Sequence, residues 1–381
     1  MSRPLMIALM LAAGLGAPAL AATPPKQPEK GPGGTDYVAS QVVKRGVGTA
    51  SSGTYVFHAA GTAKAPRPVV VLFHSWGAAN PGTYGGWIEH LARRGNLVLF
   101  PRFQEVNRSR PQDATALAGQ LVKQALADLA DDPDARPDPK RVAYLGHVAG
   151  AAIALNLAGA EGLPEPKLIF AAMPGGITTE EKGRGIYLAD LSTVPASTLL
   201  VTINGDRDHL PIDRHVRRVL KETTAVPPNR KLYMRVASDD HGFPTTNATP
   251  ASPGSPKAEY DAGAIKLPPD PPKDPKQKNT WRWSADMALS GEQTILAAQL
   301  AANGTDTLDY LAYWKTFDLA LDAALSGKDA AFLRADPRLV DMGTWSDGWP
   351  VRRLTAEIPK PETPKAGEAP KIEANGRSRV N

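Results

Sequence analysis

The chain has 381 residues, 42% of them hydrophobic and 22% charged, which suits a globular protein with one large domain plus appendages, or two domains. Its 44 basic and 39 acidic residues leave a net charge of only +5, with no basic stripe and no interleaved aromatics, which argues against a nucleic-acid partner. Cysteine is absent, so there is no disulfide, no thiol nucleophile and no thiolate-bound zinc, and stability must come from core burial.

The N-terminus, MSRPLMIALMLAAGLGAPALAATPP, carries Arg3, an apolar run from Leu5 and a small-x-small site at Ala19-Leu20-Ala21. This pattern predicts a secretory signal peptide over 1–21, cut after Ala21. The apolar run is short and broken by Gly14, Gly16 and Pro18, so it spans a bilayer poorly, and no later segment is long and apolar enough. An exported protein is expected, periplasmic or secreted, with no integral membrane segment after cleavage. Residues 22–36, rich in Pro, Gly and Lys, read as a flexible tether.

From Tyr37 onwards strands and helices alternate. PVVVLFHSWG (68–77) is a continuous apolar run ending in a polar turn, as a buried parallel strand would be. GGWIEHLARRG has helical spacing and stops at Gly95, a helix C-cap. NLVLFPRFQ is the next strand. DATALAGQLVKQALADLADD follows as an amphipathic helix with Leu117, Leu121, Val122, Ala125, Leu126 and Leu129 on one side. KRVAYLGHVAG reads as a strand and AGAAIALNLAG as a helix. KLIFAAMPGG, STLLVTINGDRDH and KLYMRVASDDHGF are three further strands. The alternation predicts an α/β fold with a mostly parallel sheet and helices on both faces, its core over 37–243.

The prolines and charges of 244–283 forbid regular structure, so this stretch reads as a surface excursion or linker. Helices return over 284–358. Leu308, Leu311, Trp314, Phe317, Leu321 and Leu325 lie at helical spacing before a stop at Gly327, an aromatic stripe expected to pack on the sheet. The polar, Pro-rich tail 359–381 reads as disordered.

Four turns fall at strand ends: FHSWG, LGHVAG, NGDRDH and DDHGF. In open parallel sheets ligands bind beyond the carboxyl ends of the strands, so these turns should converge on one pocket. GHVAG stands where a strand meets a helix, in the frame of a G-x-S-x-G nucleophile elbow. In these motifs and their order, the stretch from Tyr37 to Phe243 resembles the α/β hydrolases, in particular dienelactone-hydrolase-like and chlorophyllase-like esterases.

The resemblance implies a triad in the order nucleophile, acid, histidine. It places the nucleophile on Val148, the acid on Asp208 (Asp206 being the less favoured choice) and the base on His241. It also implies an oxyanion hole from the amide of Ala149 and the turn at Ser75 and Trp76, although His74-Ser75 stands where the family often has His-Gly. Valine cannot attack a carbonyl. Losing the serine of a working triad costs on the order of 10⁶ in turnover, so acyl-enzyme catalysis should be absent. A β-branched residue at positive φ is an outlier, and the strained elbow predicts a valine side chain on the pocket floor.

His74, Tyr84 and His147 are the remaining pocket candidates, with Trp76 as an aromatic wall and Trp87 as an inward helix residue. Asp208 has a second reading as a turn residue or helix cap, and His241 as a surface turn residue. Ser75 is the only nearby substitute hydroxyl, and a turn serine usually caps its own backbone. The seven histidines show no metal-ligand spacing, and neither GPGG nor PGTYGG joins a strand to a helix as a dinucleotide site does, so no metal or cofactor is expected. Sequons stand at Asn107, Asn247 and Asn303. The leading expectation is a pseudo-hydrolase that binds a small, ester-like molecule or a partner in the former cleft. Its rivals are a His241–Asp208 enzyme without a covalent intermediate, an esterase using Ser75 or water, and a structural envelope protein. No oligomeric state is legible.

Overall fold

The computed structural model describes residues 21–61, 63, 65–105, 108–207, 212–272, 282, 284, 287, 289 and 293–359. The predicted signal peptide (except Ala21), Asp208, Asn107 and the predicted tail beyond Pro359 lie outside the described residues.

An antiparallel pair, β1 (Val42–Gly48) and β2 (Gly53–Ala59), opens the fold. There follow β3 (Arg67–Phe73), α1 (Gly85–Arg93), β4 (Leu97–Pro101), α2 (Pro111–Asp128), β5 (Pro137–His147), α3 (Ala149–Leu157) and β6 (Leu168–Ala172). A short ribbon, β7 (Ile177–Thr178) and β8 (Ile186–Tyr187), precedes β9 (Leu199–Gly205), α4 (Ile212–Glu222) and β10 (Lys231–Val236). The C-terminal part supplies α5 (Gln293–Ala302), α6 (Lys315–Leu325), α7 (Ala330–Ala335) and β11 (Thr355–Glu357).

Among the described residues the main sheet has nine strands in the order β1-β2-β4-β3-β5-β6-β9-β10-β11. The pairs from β4 across to β10 are parallel, whereas β2 runs antiparallel to β4 and β11 to β10. The chain steps from β3 out to β4 and then back past β3 to β5. Right-handed crossovers therefore put α1 and α2 on opposite faces. α2 and α3 touch on one face. On the other, Trp87 of α1 and Phe317 of α6 meet edge to face, and both meet Phe170 of β6. This is the α/β-hydrolase arrangement, with the strand–helix elbow after the central strand β5. The elements expected from 68 to 236 are present, and Leu308, Leu311, Trp314, Phe317 and Leu321 are buried.

Three segments differ from expectation. Residues 22–36 form no loose tether. The Gly33 amide donates to Asp318 of α6 at 2.8 Å, and Pro25 accepts from the hydroxyls of Thr307 and Tyr310. Asp318 also meets His90 of α1 at 2.9 Å and Arg94 at 3.3 Å, so one carboxylate ties the strap to both helices. Such a strap has no apolar periodicity to betray it. The 244–283 excursion is not confined to the surface, because Pro250 to Ser255 are buried without interruption. Finally, 284–358 is not helical throughout, since β11 from this segment completes the sheet. Its three residues are too few to show a strand pattern.

The C-terminal helix opens with Asp306, whose carboxylate accepts from the Leu308 amide at 2.7 Å, while Asp309 accepts from the Asp306 amide at 2.8 Å. This is a capping box, and it leads into a π-helical stretch, Asp309–Trp314. Asp309 is wholly buried and its Oδ1 has no partner. Burial, reinforced by Asp306, pushes its carboxyl well above the usual range. Stability from protonated Asp309 is complete below the unfolded pKa of about 4 and is lost as pH rises through the raised folded value. An Asp309→Asn variant keeps an acceptor but cannot ionise. In thermal melts between about pH 4 and 8, its melting temperature relative to the parent should climb with pH. A constant difference would count against a protonated Asp309.

Candidate functional site

The turn after β5 places Val148 at φ 50° and ψ −109°, as the N-cap of α3. A β-branched residue at positive φ is strained, at about 1–3 kcal/mol. The backbone holds it there. Val148 N–H donates to Ala172 O at 3.0 Å, and Val148 O accepts from Ala151 and Gly175 amides at 3.1 and 3.3 Å. Both glycines of the motif are packing requirements. A methyl group on Gly150 would overlap the carbonyl of Phe73, and one on Gly146 would overlap Gly150 O and Ala151.

A chain of hydrogen bonds crosses the site. Ser75 N–H donates to the Tyr84 hydroxyl at 3.0 Å, that hydroxyl donates to His147 Nδ1 at 2.9 Å, and His147 Nε2–H donates to Pro250 O at 2.9 Å. The amide at one end can only donate and the carbonyl at the other can only accept, so the tautomer in between follows from the network. Burial pushes the His147 imidazole down to about 4, against a smaller opposing effect of the Pro250 carbonyl. The ring is therefore neutral, with both nitrogens in use. The Ser75 amide, expected as an oxyanion donor, is spent on Tyr84.

Beside this chain, His74 stacks on Phe103 with ring centroids 3.9 Å apart. Burial pushes its imidazole down to about 4 as well. His74 Nε2 and Ser75 Oγ are buried without partners, so no base activates the substitute hydroxyl. His74, Ser75, Trp76, Tyr84, His147, Val148 and Ala149 are none of them more than 4% exposed. These residues, expected to line one pocket, lie in packed interior. Val148 lies in the core rather than on an open pocket floor.

The filling comes from Pro250–Ser255. Gly86 of α1 donates its amide to Ser255 O at 2.7 Å, Ser255 N–H donates to Thr83 O, and Asn303 donates to the carbonyls of Ala251 and Gly254. Proline has no amide hydrogen, so a Pro-rich segment brings fewer donors to satisfy when it is buried. The side-chain amide of the Asn303 sequon is consumed in holding this plug.

His241 is held elsewhere. Its Nε2 lies 2.7 Å from Asp347 Oδ2, its ring stacks on Trp349, and its side chain is 29% exposed. Asp206 accepts from Ser238 Oγ at 2.6 Å. No hydrogen bond among the described residues joins His241 to the elbow or to Asp206. The carboxylate that organises this end is Asp239, which the sequence reading did not single out. It is 4% exposed and accepts from the His241 amide, the Trp345 indole and the Arg352 amide. Burial pushes its carboxyl up, but these donors together hold it below the usual carboxylate range. In the sequence nothing separates it from its exposed neighbour Asp240. Among the described residues no group of three candidate ligands could hold a metal ion, and no helix is long and apolar enough to cross a membrane.

The chain is similar over part of its length to two solved structures. An alpha/beta hydrolase enzyme from a Medee basin deep-sea metagenome library aligns over 53% of this chain and 83% of its own, at 17% identity and a TM-score of 0.42. A structure from a study of two fungal esterases from Rhizomucor miehei aligns over 53% and 76%, at 13% identity and a TM-score of 0.41. No family model and no curated protein matches the sequence.

Proposed function

We propose that this is an exported, non-hydrolytic protein of the α/β-hydrolase fold, whose elbow serves packing and whose binding surfaces lie elsewhere. The observation that carries this reading is the Ser75–Tyr84–His147–Pro250 chain laid across a wholly buried Val148. Among the described residues it leaves no nucleophile at the elbow position and no unoccupied imidazole nitrogen on His147, and the elbow residues are buried. Export is supported by the sequence over 1–21. Ala22, the first residue after the expected cut, is held by the fold, its carbonyl accepting from the Phe243 amide at 2.8 Å. The mature chain isolated from the exporting cell should begin at Ala22, as read by intact mass.

Hydrolysis of p-nitrophenyl acetate tests the central claim. The parent, Val148→Ser and His241→Ala should all match the blank. A gain in Val148→Ser on the order of 10³-fold would mean that base, acid and oxyanion hole survive, and would sink the reading. Turnover lost in His241→Ala would sink it equally.

A further inference from the structure

Beside the filled elbow, a crevice of about 600 Å³ remains open past the carboxyl ends of β3 and β4. It is lined by Tyr55 of β2, Asn80 after β3, Arg102 and Gln104 after β4, and Ile265 and Lys266 from the Pro-rich excursion. None of the elbow residues lines it. We propose that this crevice binds a small monocarboxylate with an apolar body.

The polar groups left over in the crevice are almost all donors. Arg102 is half-buried, and one of its nitrogens donates to Ala50 O. Among the described residues it has no carboxylate partner, although a part-buried guanidinium ordinarily finds one. Lys266 is exposed and likewise unpaired among the described residues. Tyr55 is 3% exposed and its hydroxyl has no partner among the described residues. Burial, more than the opposing charge of Arg102, pushes that phenol up, so it remains protonated and able to donate. Gln104 spends its carbonyl oxygen on Gly77 N–H at 2.6 Å, and its NH₂ group has no partner among the described residues.

Most of the nearby acceptors are engaged. Glu105 pairs with Arg108 at 3.1 Å. Asp261 accepts from Asn80 Nδ2 at 2.6 Å and from Gly263 N–H at 2.7 Å. Asn80 Oδ1 in turn accepts from the Gly82 and Ala262 amides. Glu105 also lines the crevice and keeps Oε2 without a partner among the described residues, but against it stand Arg102, Lys266, the Tyr55 hydroxyl and the Gln104 amide, a surplus of donors that calls for an anionic acceptor. The planar fork of Arg102 matches a carboxylate, and one arginine is a sparse set for a phosphate. Ile265, Leu267 and the Tyr55 ring supply the apolar wall on which the body of the ligand would rest.

The test is titration of the full mature chain with 4-phenylbutyrate, followed by calorimetry and thermal shift. Controls are 4-phenylbutanol, which lacks the charge, and inorganic phosphate, which lacks the apolar body. Saturable binding at or below about 1 mM is expected, with both controls at least about tenfold weaker. Arg102→Gln should weaken binding by about tenfold or more, and Tyr55→Phe and Lys266→Gln by severalfold each. No saturable binding, equal binding of either control, or parent-like affinity in the variants would overturn the proposal. Should Arg102→Gln fail to fold through loss of the Ala50 contact, Tyr55→Phe and exposed Lys266→Gln still decide the matter. The result does not depend on whether the elbow is inert, because no elbow residue touches the crevice.

Discussion

Replacing Gly150 with alanine is expected to unfold the protein or destabilise it by more than about 4 kcal/mol, read from urea denaturation midpoints. Its added methyl would overlap the carbonyl of Phe73 and crowd that of His74. Both belong to the end of β3 and the turn behind it, so relief would require separating α3 from the sheet. A backbone carbonyl cannot swing aside as a flexible side chain can, so the steric penalty is not relaxed locally. Gly304→Ala is the matched control, since nothing lies within 4 Å of a methyl group there. It should change stability by less than about 0.5 kcal/mol. A Gly150→Ala protein within about 1 kcal/mol of the parent would show that the elbow is not held by close packing.

Asp239→Ala should cost about 3 kcal/mol or more. It strands the His241 amide, the Trp345 indole and the Arg352 amide, all of which donate to this one carboxylate. The loss should be largest where Asp239 is ionised. Its folded pKa lies below the usual value, so its contribution is present above the unfolded pKa of about 4 and fades as pH falls through the folded one. The gap between parent and variant should therefore narrow in acid. Asp240→Ala removes a carboxylate that is 70% exposed and should change little. If the two variants proved equal, Asp239 would not be the joint between β10 and the C-terminal segment.

The two variants probe features of different legibility. The spacing of Gly146 and Gly150 is a local pattern, and with the apolar run before it and the small-residue helix after it, the elbow could be placed from sequence. Asp239 could not be distinguished from Asp240, because the difference lies in the Trp345 and Arg352 donors more than a hundred positions away. The same limit applies to the strap and the plug. Gly33 and Pro250–Ser255 lack apolar periodicity, and their burial depends on which distant groups satisfy their carbonyls and amides.

By itself, the sequence determined the strand–helix alternation, the place of the elbow and the absence of a nucleophile at Val148. These follow from residue type and short-range spacing, which act within one element and its turn. Only the tertiary structure decided that the elbow residues are buried. His147 and Pro250 are 103 positions apart, and their hydrogen bond exists because a Pro-rich segment with few amide hydrogens could be buried against the strand ends. That closure turned an expected pocket into core and left the unpaired donors of Arg102, Lys266 and Tyr55 in the neighbouring crevice.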